Sequence, residues 1–347
     1  MKPRTLALAV LAALPLLPGC LQGRGPAGEA GNLAVRANSP LSALVQAGKL
    51  YLEQDEANDA YVVLKRAVAL DPKSYEAQLG LAQACGELGE LTAGLAAAEA
   101  AAGLQPQAAE PLYAAGRICA ASWKLEPAEE HFGRAVKLDP KHGEAWRDLG
   151  RVRLRRAAIE GGSVKPAIEA LERARALSGK DAEGVALLAE AYARGERYAD
   201  AITEYTRAVA LDPANADYPR NLAWLLMMEG QALDKARELA LKSDELQRGD
   251  GDALVAAAVA LLRQGELDQA IEELQAAVKA VGSNADAYAF LAQAAAERGR
   301  PADYDMAINA LKYMRGMELT PRHISPDELD RLVQAIGAGV RRLQTGE

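Results

Sequence analysis

Residues 182–213 read AEGVALLAEAYARGERYADAITEYTRAVALDP. Val185, Leu188 and Tyr192 recur three and four positions apart, the spacing of one face of a helix. Ala201, Tyr205 and Ala208 repeat that spacing on a second helix. Leu211-Asp212-Pro213 then closes the stretch, because proline cannot continue a helix. The stretch reads as a helical hairpin with a defined end.

The same ending returns through the chain as Leu70-Asp71-Pro72, Leu104-Gln105-Pro106 and Leu138-Asp139-Pro140, whose prolines are 34 residues apart. A degenerate copy, Leu177-Ser178-Gly179, lies 34 residues before Pro213. From Pro140 to Gly179 the step is 39, so one unit carries five extra residues, placed around Gly161-Gly162-Ser163. A small residue keeps the same beat in each first helix: Gly48, Ala82, Gly116, Gly150, Ala189, Ala223, Ala258 and Ala292. Ala60, Ala128, Ala167, Ala201 and Ala270 open second helices, and Gly89, Gly230, Gly265 and Gly299 mark the turns between helices. A small residue at a fixed place lets helices touch, while large residues fill the space beside it.

This pattern resembles the tetratricopeptide repeat, whose large–small–aromatic first helix, alanine-marked second helix and closing Asp-Pro are visible in Leu188-Ala189…Tyr192…Ala201…Tyr205…Ala208…Pro213. The units run 41–74, 75–108, 109–142, 143–181, 182–215, 216–250, 251–284 and 285–318. The resemblance implies an all-α, right-handed α-solenoid of about eight hairpins. One hairpin cannot bury its apolar face alone, so hairpins must stack. The fourth unit departs from the pattern by placing Arg153 where an apolar or aromatic residue is usual. The sixth lacks a closing proline, and the eighth stretches near Pro301–Asp305. Ser39-Pro40 reads as an N-cap with proline at the first helical position. Ser325-Pro326-Asp327-Glu328 repeats the signal and adds a possible capping box. It opens a C-terminal capping helix with Leu329, Leu332, Val333, Ile336 and Val340 on one side.

The amino terminus has another character. Lys2 and Arg4 precede an uncharged run from Thr5 to Gly19, the layout of a secretory signal. Fifteen helical residues span roughly 22 Å, short of the ~30 Å hydrocarbon core. Leu17, Gly19 and Cys20 resemble the bacterial lipobox, which implies cleavage before Cys20 and acylation of it. The glycine-rich stretch Gln22 to Asn38 has no helical period and reads as a flexible tether. The resulting division is 1–19 signal peptide, 20–38 lipidated cysteine and tether, 39–318 repeats, and 319–347 capping helix and tail. Leu21, where some lipoproteins carry Asp, resembles sorting to the outer membrane, facing the periplasm.

Net charge is −8, and removal of the leader makes the chain more acidic by two. Bulk nucleic-acid binding needs a cationic surface instead. No catalytic motif, phosphate loop or metal-ligand spacing occurs, so the reading is non-enzymatic, with no cofactor and no metal. His131, His142 and His323 are scattered and read as surface residues. Cys85 and Cys119 hold equivalent places on adjacent first helices, which run about 8–10 Å apart. A disulfide needs Cα atoms within about 7 Å, so two buried free thiols are expected.

The expected function is a protein-binding scaffold of the bacterial envelope. In the family that the repeats resemble, the first helices line a groove for peptides or partner helices. Arg147, Arg151 and Arg155 form a stripe on one such helix by their i, i+4 spacing. Tyr113 and Arg117 hold the matching places one unit earlier, and Arg194, Arg220 and Trp224 continue the track. Arginine suits carboxylates and aromatics suit anchors, so the track would take an acidic segment or a C-terminal carboxylate. Alternatively it is a solvated face neutralised by Glu144, Glu183 and Glu190. An accessory subunit of an envelope enzyme or glycan-handling system, using the groove for substrate, is the other functional class.

Overall fold

The computed structural model describes residues 40–230 and 232–345. The leader, Cys20, the tether and Ser39 lie outside the described residues. The described chain divides between Ser178 and Gly179 into two compact units.

The first unit holds four hairpins: α1 (Pro40–Glu53) with α2 (Ala57–Leu70), α3 (Tyr75–Leu88) with α4 (Leu91–Leu104), α5 (Glu110–Ala121) with α6 (Leu125–Leu138), and α7 (Gly143–Glu160) with α8 (Lys165–Leu177). The second holds α9 (Ala182–Arg194) with α10 (Tyr198–Leu211), α11 (Asp217–Met228) with α12 (Leu233–Leu246), α13 (Gly251–Gln264) with α14 (Leu267–Ala280), and α15 (Ala285–Arg298) with α16 (Pro301–Gly316). A last helix, α17 (Pro326–Thr345), follows. No strand occurs among the described residues. The fold is an all-α repeat of eight hairpins.

The repeat positions have direct packing consequences. A Cβ added at Gly116 would stand 2.5 Å from the Phe132 ring, and one at Gly150 would stand 2.5 Å from Leu171. Phe132 and Leu171 are fully buried. The small residue thus admits a large side chain of the second helix directly against the first helix backbone. The closing Asp makes its own turn: Asp71 and Asp139 accept from the backbone N–H groups of Lys73 and Lys141, each at 2.9 Å. The following first helices are capped by side chains of Ser74, His142, Asp181, Asp250 or Asn284.

Two sequence expectations change. The five extra residues of the fourth unit are mostly helix: α7 has 18 residues where α3 has 14, and it ends at Gly161. The capping helix packs on α15 and α16, but of its five apolar residues only Ile336 is buried. Its capping box is present, with Ser325 N donating to Glu328 at 2.8 Å and Glu328 N donating to the Ser325 hydroxyl at 3.3 Å. Cys85 and Cys119 are free, buried and in separate core clusters. Burial pushes the Cys85 thiol up to about 11.

Candidate partner surface

In the first unit, the extra turn of α7 carries two opposite faces into the surroundings of α5, α6 and α8. Arg147, Arg151 and Arg155 lie on one face, and Trp146, Leu149, Arg153 and Arg156 on the other.

On the arginine face the organising residue is Asp148, which sequence reasoning missed. Its carboxylate accepts from the Tyr113 hydroxyl at 2.9 Å, from Arg147 Nε at 3.3 Å, and pairs with Arg151 at 3.2 Å. Its side chain is only 13% exposed. Burial raises the Tyr113 pKa, and the Asp148 carboxylate adds to the rise. The structure therefore brings Tyr113, Arg147 and Arg151 together, and it neutralises them from within. Glu144, in the first turn of α7, is not the organising acid. Arg117 approaches Glu87 at 3.9 Å and stays partly exposed.

Arg155 differs from the rest. It is exposed, and its guanidinium lies 5.6 Å from the ring centroid of Trp123. Trp123 is 70% exposed and sits in the left-handed backbone region, at φ 57°. Each hairpin turn has such a residue: Asp55, Gly89, Trp123, Gly161, Glu196, Gly230 with Ala232, Gly265 and Gly299. Glycine reaches this conformation without strain, whereas a bulky residue there is an outlier. The signal was legible, since Trp123 lies 34 residues after Gly89 in the frame that marked the turns.

In the second unit the track is less open. Arg194 pairs with Glu190 at 3.0 Å, as one reading of the sequence allowed. Arg220 pairs with Asp217 and with Asp250. Trp224 is not an open aromatic anchor. It is 9% exposed because the segment before α17 returns over α11 and lays His323 on its ring, at 3.7 Å and 4°. His323 is correspondingly not a solitary surface histidine. Its Nδ1 lies 3.2 Å from Asp286, whose other oxygen accepts the backbone N–H groups of Arg322 and His323 at 3.0 and 2.9 Å. Burial opposes ionisation of Asp286, but the His323 and Arg322 hydrogen bonds outweigh it and hold the carboxyl below its ordinary value.

The opposite face of α7 lines a cavity of about 1140 Å³ between α6 and α8. Arg153, the residue out of pattern, is its strut. Arg153 donates to Glu129 on α6 at 2.8 Å and to the Pro166 carbonyl on α8 at 3.1 Å. Arg156 also holds Glu129, at 2.7 Å. Burial would raise the Glu129 pKa, yet these two arginines bring it down. Among the described residues no helix is long and apolar enough to cross a membrane.

This arrangement defines a helical-hairpin repeat whose packing slots and turn residues recur in one sequence register. A tetratricopeptide-repeat profile matches residues 45–122, 124–182, 156–216, 186–252 and 255–303. The chain belongs to the tetratricopeptide-repeat family, whose proteins are in general non-enzymatic interaction scaffolds. No curated protein matches the chain by sequence. A chain of the APC/C hetero-tetramer Cut9–Hcn1 is similar in structure, with a TM-score of 0.53 at 16% identity. The match covers 84% of this chain but only 55% of that one. PilF of Pseudomonas aeruginosa is similar over 62% of this chain and 95% of its own, with a TM-score of 0.53 at 21% identity. At these identities the likeness is one of fold.

Proposed function

We propose that the chain is a protein-binding scaffold of the bacterial envelope, held on the periplasmic side of the outer membrane by a lipid on Cys20. Its first-helix track receives an acidic segment or a C-terminal carboxylate of a partner. The observation that carries the partner reading is the open end of the track. Trp123 keeps a large aromatic at a glycine-type turn position, exposed, with Arg155 over its ring. Exposed aromatic and arginine side chains are the residues that most often dominate binding energy. Arg147 and Arg151 are held on Asp148 rather than offering bare charge. The anchor reading rests on Lys2, Arg4, the uncharged run and Leu17-Pro18-Gly19-Cys20.

The test uses the full chain in its native membranes, cross-linked and purified with its partners. Trp123→Ala combined with Arg155→Glu is expected to lower partner recovery about tenfold or more while leaving helicity unchanged. Undiminished recovery would sink the track as the partner face. Cys20→Ala is expected to move the chain out of the membrane fraction, and retention there would sink the anchor.

A further inference from the structure

The cavity beside α7 has a charge arrangement that the track lacks. Of its acidic lining, Glu126, Glu129 and Glu130 on α6 and Glu169 on α8 fall in the first halves of their helices, while Glu172 lies past the middle of α8 beside Arg173. Its basic lining, Arg134 and Lys137 on α6 with Arg173 on α8, falls towards the C-terminal ends. Short connections make α6 and α8 each antiparallel to α7 and thus parallel to each other. Along α6 the cavity therefore runs from an acidic end to a basic end. At the acidic end Arg153 and Arg156 already hold Glu129. At the basic end Arg134, Lys137 and Arg173 are exposed, and none pairs with a carboxylate among the described residues.

The floor beneath those three cations is apolar. Leu149 and Val136 are buried there, and the half-buried Trp146 ring is fixed by its Nε1 donating to the Pro140 carbonyl at 3.1 Å. Arg134 and Lys137 also line a second hollow of about 350 Å³ on the other side of α6, over Pro106, Leu112 and Leu138. Two hollows, the larger with an apolar floor and the smaller mainly apolar, thus flank one ridge of uncommitted positive charge.

We infer that this second-helix side of the first unit is a further docking surface, for a protein segment whose acidic side chains are flanked by bulky apolar ones. The acidic residues meet Arg134, Lys137 and Arg173, and the apolar residues enter the two hollows. A uniform polyanion such as nucleic acid fits worse, because it would also meet the glutamates that line the same cavity. This surface rests on the scaffold reading and lies on the face of α7 opposite the track.

The probe is a fluorescein-labelled synthetic peptide, Leu-Phe-Asp-Glu-Asp-Leu-Phe, titrated into the full chain in nanodiscs and read by anisotropy. A counterpart with Asn-Gln-Asn at its centre and a single-stranded oligonucleotide serve as comparisons. The acidic peptide is expected to bind, and the neutral one about tenfold more weakly. Arg134→Glu, Lys137→Glu and Arg173→Glu together should lose about tenfold or more, with circular dichroism unchanged because all three are exposed. Trp146→Phe should retain binding better than Trp146→Ala. A loss of peptide affinity in Trp123→Ala with Arg155→Glu as large as that of the triple variant would place the peptide on the track and overturn the inference. Equal binding of the neutral peptide, preferred binding of the oligonucleotide, an unaffected triple variant, or no binding at about 1 mM peptide would each overturn the inference. The scaffold reading fails separately, on undiminished partner recovery by the Trp123 and Arg155 variant.

Discussion

The two compact units solve one packing problem with different residues. In the first unit the small-residue slot is glycine in three hairpins, Gly48, Gly116 and Gly150. In the second it is alanine in all four, Ala189, Ala223, Ala258 and Ala292, each fully buried. The glycine slots let Leu64, Phe132 and Leu171 press on bare backbone. The alanine slots keep a methyl and gain helix propensity. The second unit ties its last segment down through a carboxylate: Asp286 gathers two backbone N–H groups and His323, and so fixes the segment covering Trp224. The first unit leaves its aromatic Trp123 open and keeps a cavity beside α7. The second unit covers Trp224 but keeps a smaller cavity of about 440 Å³ beside His323 and α17.

The largest expected effect strikes that polar tie. Asp286→Ala should destabilise the second unit by about 3 kcal/mol, since it strands the N–H groups of Arg322 and His323 and frees the cover of Trp224. Urea unfolding followed by tryptophan fluorescence measures it, and a change below about 0.5 kcal/mol would remove the tie from the comparison. The carboxyl is also a pH sensor of known sign. Its folded pKa lies below the ordinary 3.8, so its contribution is complete above that value and is lost as pH falls through the folded pKa. Asp286→Asn should therefore flatten the loss of stability in that acid range.

The slot itself gives the next effect. Gly116→Ala gains about 1 kcal/mol of helix propensity, but its methyl meets Phe132 at 2.5 Å, and overpacking costs about 1–3 kcal/mol. The net expectation is a loss of about 1 kcal/mol. In the second unit the reverse exchange, Ala258→Gly, should also lose about 1 kcal/mol, through backbone entropy. Both exchanges must destabilise if the two slots are matched to their own neighbours. A stabilised Gly116→Ala would show that Phe132 can withdraw and that the glycines are not packing devices.

Legibility in the sequence tracks the range of the interaction. The 34-residue beat exposed hairpins, slots and turns because each is set by neighbours within one repeat. Asp148 was missed because its role depends on Tyr113 in the preceding hairpin, 35 residues away. The covering of Trp224 depends on His323, across a much longer stretch of chain. The cavity was foreshadowed by Arg153 and the five-residue insertion, both recognised as departures. What a departure from the beat opens, however, depends on helices packed in three dimensions. Of the track residues in the first unit, Arg147, Arg151 and Tyr113 meet at Asp148, while Arg117 lies by Glu87 and Arg155 by Trp123.

The smallest expected effect separates fold from function at the turns. Trp123 and Glu196 occupy the same turn position in the two units, at φ 57° and 58°. A non-glycine residue there costs about 1–2 kcal/mol, and glycine's extra unfolded-state freedom offsets about 0.5–1 of that on replacement. Glu196→Gly should thus stabilise by about 0.5 kcal/mol. Trp123→Gly gives up, in addition, the Arg155 contact over the ring, about 0.5–1 kcal/mol at an exposed site. Its stability should change by less than about 0.5 kcal/mol, while partner recovery falls. If Trp123→Gly instead destabilises by about 2 kcal/mol or more, the ring is part of the core and its exposure has no bearing on partners.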